Sequence, residues 1–181
     1  EAWFPGEAGG KAVADVLFGD YNPGGKLPIT FPKSVGQLPI YYNQKPSAIH
    51  RYVTESENPL YTFGYGLSYT TFEYSNPALS TAAIKADGEL KVSIDVKNTG
   101  NYDGDEVVQL YINDVYSSVT TPLKTLKGFK RIFIKKGETK NVTFTLTPDE
   151  LAIWNREMKR VVEPGDFEVM VGGNSVDLLK T

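Results

Sequence analysis

A chain of 181 residues that is 40% hydrophobic and 23% charged has ordinary globular composition, which excludes a disordered or fibrous protein. A formal net charge of −3 leaves no basic footprint for nucleic acid, and no apolar run approaches the ~20 residues of a membrane-spanning helix. There is no cysteine, so disulfides are excluded and thiols say nothing about redox compartment.

The chain opens Glu1-Ala2-Trp3, with neither an initiator Met nor the basic-then-apolar pattern of a secretion signal. Ala2-Trp3-Phe4 reads as the end of a buried strand, broken by Pro5-Gly6. Ala8 to Phe18 reads as a helix. Ala12, Val13, Val16 and Leu17 share one face, and only Lys11 and Asp15 are charged within it. A helix this apolar is usually buried. Glu7 sits where its charge favours the helix start. Gly19 is a stop signal, Asn22-Pro23-Gly24-Gly25 a turn, and Leu27 to Pro32 runs extended. One strand and one helix cannot bury these surfaces against each other. The expectation is therefore the last β-α unit of an α/β sheet, residues 1–32, in a chain that begins partway through a domain.

Residues 33–71 are rich in Tyr, Pro, Gly and Ser and lack sustained periodicity. Tyr41, Tyr42, Tyr52, Tyr61, Phe63, Tyr65 and Tyr69 need somewhere to pack. A long connection of this kind is functional or docked on a neighbour. It reads as an ordered strap whose aromatics make interdomain packing rather than ligand contacts.

From Phe72 the period becomes two. Leu90, Val92, Ile94 and Val96 alternate with polar residues, as do Val142, Phe144 and Leu146; Val108, Leu110 and Ile112, and then Phe167, Val169 and Val171, repeat at the same spacing. Turns at 98–101, Lys136-Gly137 and Pro164-Gly165 separate them, and Pro148 to Leu151 starts a short helical turn. Short alternating strands between turns predict a β-sandwich over residues 72–181.

Motifs that might carry chemistry mostly fail on spacing. Gly6 to Lys11 is no phosphate loop, because Pro5 and Ala12 stand where Gly and Ser or Thr are required. Asn101 to Glu106 lacks the calcium-loop pattern, and a single His50 excludes His-based triads and multi-histidine metal sites within the chain. Asn141-Val142-Thr143 matches a glycosylation acceptor but lies on a predicted strand. No pair among the 22 acidic residues is singled out as a catalytic pair. Two residues are candidates for proximity to substrate. Glu7 lies at a strand-to-helix turn, where ligands of open α/β sheets bind. Arg51 lies in the aromatic strap, where arginine and tyrosine would bond and stack on a sugar.

Longer motifs carry a resemblance. Trp3-Phe4-Pro5-Gly6, Gly9-Gly10, the run Ala14 to Pro32 (ADVLFGDYNPGGKLPITFP) and Val35 to Asn43 (VGQLPIYYN) resemble the end of the second domain of family-3 glycoside hydrolases. Pro59 to Phe72 (PLYTFGYGLSYTTF) resembles that family's entry into its fibronectin type III-like domain. Gly104 to Tyr111 (GDEVVQLY), Leu126 to Arg131 and Glu163 to Phe167 resemble that domain itself. The family usually has Pro where Thr62 stands and often Ser where Gly24 stands.

The resemblance, nearest to the family's bacterial periplasmic β-glucosidases, implies a parent enzyme of (β/α)₈ barrel, α/β sandwich and β-sandwich. It implies hydrolysis of terminal β-linked sugars with retention and no cofactor, and a periplasmic or secreted location; the residue spacing itself assigns no metal site. The family's nucleophile is an Asp on the barrel and its acid/base is a Glu upstream. Neither motif occurs here, so no catalytic residue is assigned. The expected partners are the N-terminal catalytic domains of the same protein and, for the parent, a β-linked oligosaccharide or glycoside. The alternative is an independent carbohydrate- or protein-binding module. The helix at 8–18 argues against it, because a free module has no use for an apolar helix with nothing to bury it.

Overall fold

The alternating segments become strands because every second side chain can reach a common core. The computed structural model describes residues 1–46 and 56–181; His50, Arg51 and Tyr52 lie outside the described residues. One sheet has three antiparallel strands in the order β1 (Phe72–Leu79), β2 (Leu90–Asn98), β5 (Thr139–Leu146). The other has four, in the order β4 (Thr125–Ile134), β3 (Gly104–Asp114), β8 (Phe167–Gly172), β9 (Leu178–Lys180). Between them lie Val92, Ile94 and Val96 from β2, Val108, Leu110 and Ile112 from β3, Val142, Phe144 and Leu146 from β5, and Val169 and Val171 from β8. Each such side chain contributes about 1.5–3 kcal/mol by leaving water. The mainly β, fibronectin type III-like sandwich expected from the alternation is thus present.

Three strands escape the alternation. β1 contains Pro77, and its register with β2 shifts between Ser75 and Ala78, with Asn76 at φ 53°. β4 presents Phe129 and Phe133 to solvent, so its polarity does not mark an inside. β9 is three residues long. A two-stranded ribbon, β6 (Ile153–Trp154) with β7 (Arg160–Val161), follows the short helix α2 (Pro148–Leu151). Thr147 and Glu150 close a capping box on α2, each side chain satisfying the other's backbone N–H.

The first helix, α1, spans Gly9–Phe18, with Ala8 rather than Glu7 at its N-cap and no side-chain cap. Gly19 stops it at φ 87° as predicted. Its apolar face is open in this chain: Leu17 is 71% and Phe18 85% exposed. Trp3-Phe4 has no ladder partner among the described residues, and Phe4 is fully exposed. The extended run Leu27 to Phe31 is held by the strap instead. Leu27 N–H donates to Tyr65 O at 2.8 Å, Gly64 N–H to Leu27 O at 2.8 Å, and Phe31 N–H to Tyr61 O at 2.9 Å.

The turn after β2 is organised by Asn98, which is fully buried. Its side-chain oxygen accepts from Thr70 Oγ1 (2.6 Å) and Gly100 N–H (3.1 Å), and its amide donates to Tyr102 O (2.7 Å) and Ile134 O (3.0 Å). One side chain thereby joins the strap's end, two turns and β4. Asn98→Ala is expected to cost at least ~2 kcal/mol by stranding several of these groups. In thermal unfolding that is a fall of roughly 5 °C or more for a chain of this size; a change of less than a degree would show that water replaces the side chain.

Candidate functional site: the seam between strap and sandwich

β3 is read on both faces. Its residues Val108, Leu110 and Ile112 enter the core, while Asp105, Gln109 and Tyr111 meet the first 70 residues of the chain. Glu106 belongs to the core-facing set but lies at the open end of the sandwich, 4% exposed. There Lys26 Nζ lies 3.0 Å away, and Tyr74 Oη, from the opposite sheet, donates at 2.8 Å. Burial, reinforced by the Glu106 charge, pushes the Tyr74 phenol far above its ordinary range, so it stays a donor.

Gln109 is the second anchor. Its amide donates to Gly64 O (3.2 Å) and Gly173 O (2.7 Å), and its oxygen accepts from the buried Tyr111 hydroxyl. Gly64 has φ +78°, and a Cβ there would run into the Gln109 amide, so only glycine serves. Tyr111 is fully buried, and burial raises its phenol, with the neighbouring Tyr42 adding to the effect. The Tyr42 ring stacks on Phe63 (centroids 4.1 Å) and meets Tyr111 edge-on at 5.9 Å. Its hydroxyl accepts from Leu126 N–H at 3.3 Å.

At the margin, Arg131 binds Asp105 at 2.6 Å and donates to Tyr21 Oη at 2.9 Å. Both partners hold the guanidinium above its ordinary range, Asp105 first. Asn22 accepts from Ser68 Oγ and Tyr69 N–H, both at 2.8 Å, and donates to Asp103 O at 2.8 Å. Other aromatics of the strap pack on one another and on the first segment: Phe31 lies 6.4 Å from both Trp3 and Tyr61, and Tyr61 stacks on Tyr65 at 5.2 Å. Tyr42, Tyr61, Phe63 and Tyr65 thus pack within the chain, whereas Tyr41 is exposed and makes no ring contact among the described residues.

Other carboxylates are engaged in local structure. Asp95 is held below the carboxylate range by Asn76 and then Asn141, Glu163 by Ser118, and Glu168 by Asn113 and then Lys180. Asp114 is raised, by burial and then by the Glu163 charge. Opposed shifts of this kind mark acid–base pairs in enzymes, but Asp114, at the end of β3, and Glu163, in a loop, line neither cavity described below. No group of three or more metal-binding side chains occurs among the described residues, and no helix among them is long and apolar enough to cross a membrane.

Of the two candidates for substrate proximity, Glu7 is exposed one residue before the N-cap and makes no capping bond. Arg51 lies outside the described residues. What the sequence reading missed is the seam itself, whose polar anchors are dispersed over Lys26, Gly64, Glu106, Gln109 and Gly173. The only signal was that the stretch Gly104 to Tyr111 is more specific than an alternating strand needs. Between strap and sandwich lies a cavity of about 200 Å³ lined by Tyr41, Tyr42, Gln44, Glu57, Asn58 and Lys124, among others. A second, more apolar cavity of about 570 Å³ includes Pro28, Ile29, Leu38 and Ile40.

Lys26→Met leaves Glu106 buried without its cation. A loss of about 3–5 kcal/mol is expected, and Lys26→Met combined with Glu106→Gln is expected to recover at least half of it. Denaturant unfolding of both variants measures this; equal losses would show that the ion pair is not what couples the first segment to the sandwich.

Residues 1–69 match the family model for the glycosyl hydrolase family 3 C-terminal domain, and residues 106–175 match that for the fibronectin type III-like domain. The chain is 49% identical over 186 residues to a periplasmic β-glucosidase of Salmonella typhimurium, covering 97% of this chain and 24% of that protein. It is 52% identical to a β-xylosidase of Formosa agariphila, covering 100% and 26%. Among solved structures, the β-glucosidase of Listeria innocua in complex with glucose superposes with a TM-score of 0.95 at 36% identity, covering 100% of this chain and 27% of that one. The chain spans about a quarter of the length of these relatives. With both family models matched in order and relatives aligned along nearly its whole length, the chain belongs to glycoside hydrolase family 3, carrying that family's C-terminal domain segment followed by its fibronectin type III-like domain.

Proposed function

We propose that this chain is the structural C-terminal portion of a β-glucosidase-like enzyme that removes terminal β-linked sugars with retention of configuration. It divides into the remnant of the α/β domain (1–32), the strap (33–71) and the sandwich (72–181), and its role is to brace catalytic domains that supply the two carboxylates. A retaining enzyme needs those carboxylates about 5–5.5 Å apart across the sugar bond. The observation that carries the reading is the contrast between the two sides of the first segment. Toward the sandwich it is fixed directly by Lys26–Glu106 and indirectly through Gly64 of the strap, which bonds both Leu27 and Gln109, while Phe4, Leu17 and Phe18 lie open on α1 and just before it. Apolar surface presented beside a rigid seam is what a bracing element needs, and the rest of the α/β domain is its natural cover.

The relatives' activities support a β-glucoside or β-xyloside as substrate, and the name of the Salmonella relative supports a periplasmic or secreted location. Glu7 and Arg51 are the residues of this chain nearest the substrate in this reading, as parts of a cleft wall rather than as catalytic groups. One observation favours the alternative of an independent module: every buried member of the sandwich core lies within residues 90–171. Lys26 weighs against it, since excising the sandwich would leave Glu106 without its cation.

The purified 181-residue chain is expected to show no turnover of an aryl β-glucoside, whereas a longer protein carrying the barrel and α/β domains turns it over. In that longer protein Arg51→Ala is expected to raise KM for oligosaccharides roughly three- to tenfold, the worth of one or two hydrogen bonds, with kcat little changed. Turnover by the short chain would overturn the bracing role; a change in thermal stability alone would assign Arg51 to packing.

A further inference from the structure

Along most of the seam the buried polar groups are used up by one another, as Glu106 and Gln109 are. The 200 Å³ cavity differs. Lys124 is half-buried on its wall, and its ammonium meets a single acceptor among the described residues, Ser175 O, leaving two of its three N–H donors unspent. Burial, with Lys180 nearby, lowers its proton affinity, so the environment does not supply a neutralising carboxylate in contact. The side chain of half-buried Gln44 has no hydrogen-bond partner among the described residues, and the same holds for Glu57 and Asn58 at the mouth. The floor is rigid: Tyr42 is clamped between Phe63 and Tyr111, and Gln37, also on the wall, is locked by Lys33 N–H, Ser56 O and Asn58 O. Tyr41 stands at the rim, 63% exposed, with its ring available.

This set of groups restricts the ligand. The volume is below the ~300–1,000 Å³ of sites for drug-sized molecules, so it suits a single ring. Lys124 opposes a cation and Glu57 opposes an anion, which disfavours a ligand with net charge. Two amides, an ammonium and a carboxylate together want many donors and acceptors on that ligand, and an exposed tyrosine ring wants an apolar C–H face. A hydroxyl-rich saturated ring meets all of these conditions.

We propose that the cavity between strap and sandwich binds one neutral pyranose unit, held by Lys124, Gln44, Glu57 and Asn58 and stacked on Tyr41. Choosing a sugar over other neutral polyols rests on the glycosidase reading above. Neither family model spans the site: one ends at residue 69, the other begins at 106, and the cavity draws on both sides of that gap.

The test is direct titration of the 181-residue chain with methyl β-D-glucopyranoside, followed by NMR, with glucuronate, glucosamine and myo-inositol as comparators. Saturable binding with Kd of about 1–10 mM is expected for so small a ligand. Tyr41→Ala and Lys124→Met should each weaken it at least tenfold, and both charged sugars should bind at least tenfold more weakly. Gln44→Ala, a surface-side change, replaces Lys124→Met if that variant melts early. Absence of saturation up to ~100 mM, binding unchanged in the variants, or preference for a charged sugar overturns the site. Equal binding of inositol overturns the choice of a sugar. Because the readout is binding and not turnover, a longer protein that hydrolyses glycosides while this chain fails to bind refutes the cavity alone. An inactive longer protein whose 181-residue part binds refutes the glycosidase reading alone.

Discussion

A carboxylate between two β-sheets is the constraint on which the rest of this chain depends. Glu106 is almost entirely removed from water, and an ionised carboxylate in that position is tolerable only with a cation and donors in contact. Tyr74 supplies a donor from within the sandwich, but the cation comes from Lys26, in a segment 80 residues earlier in the chain by the numbering. The sandwich is therefore electrostatically incomplete without the first segment's approach. Replacing such a pair by apolar residues of similar volume is often neutral or stabilising. What the pair provides instead is register: only one placement of Lys26 satisfies Glu106, and that placement puts Leu27 against Tyr65 and Gly64 against Gln109.

Much of the sandwich was legible because alternation has a single physical cause. Val92, Ile94 and Val96, or Val142, Phe144 and Leu146, face inward because strands have a period of two. Legibility fails where a second demand overrides the first. β4 carries Phe129 and Phe133 outward beside Arg131, while Lys130, on the other parity, lies over the Phe144 ring at 5.4 Å, so charge and aromaticity appear on both faces. β1 is interrupted by Pro77 and a positive-φ Asn76. The strap's order was foreseeable from its unplaced aromatics, but not its partners, since stacking of Tyr42 on Phe63 depends on a loop closing, which no local period encodes. The candidate cavity was likewise invisible, being built from residues 41–44, 57–58 and 124.

The helix α1 shows the reverse situation, in which the pattern is clear and its complement is elsewhere. Leu17 and Phe18 have helical spacing appropriate to a core, yet within this chain they face outward. Tyr21 N–H donates to Asp15 O within the first segment, and Tyr69 of the strap donates its hydroxyl to Val16 O, so the end of the helix is tied to the strap even though its apolar face is open. Position is thus fixed from the sandwich side, and the exposed face is presented in a defined orientation rather than left to fray.

The two family models match 1–69 and 106–175 and pass over the stretch between, although β1 and β2 lie there and β2 contributes three fully buried residues to the core. Most of that strand has only to alternate, a demand that many sequences meet equally well, so little in it is distinctive. β3 must supply a buried carboxylate, an amide reaching two carbonyls and a buried phenol, at positions 106, 109 and 111. The loop after β8 must supply Gly173, whose missing side chain leaves room for Glu106 and Tyr74. Those demands admit few residues. The recognisable parts of this chain are then the parts that bind its first 70 residues to the sandwich, and a boundary drawn by sequence similarity between the two segments runs through what is, in its contacts, a single body.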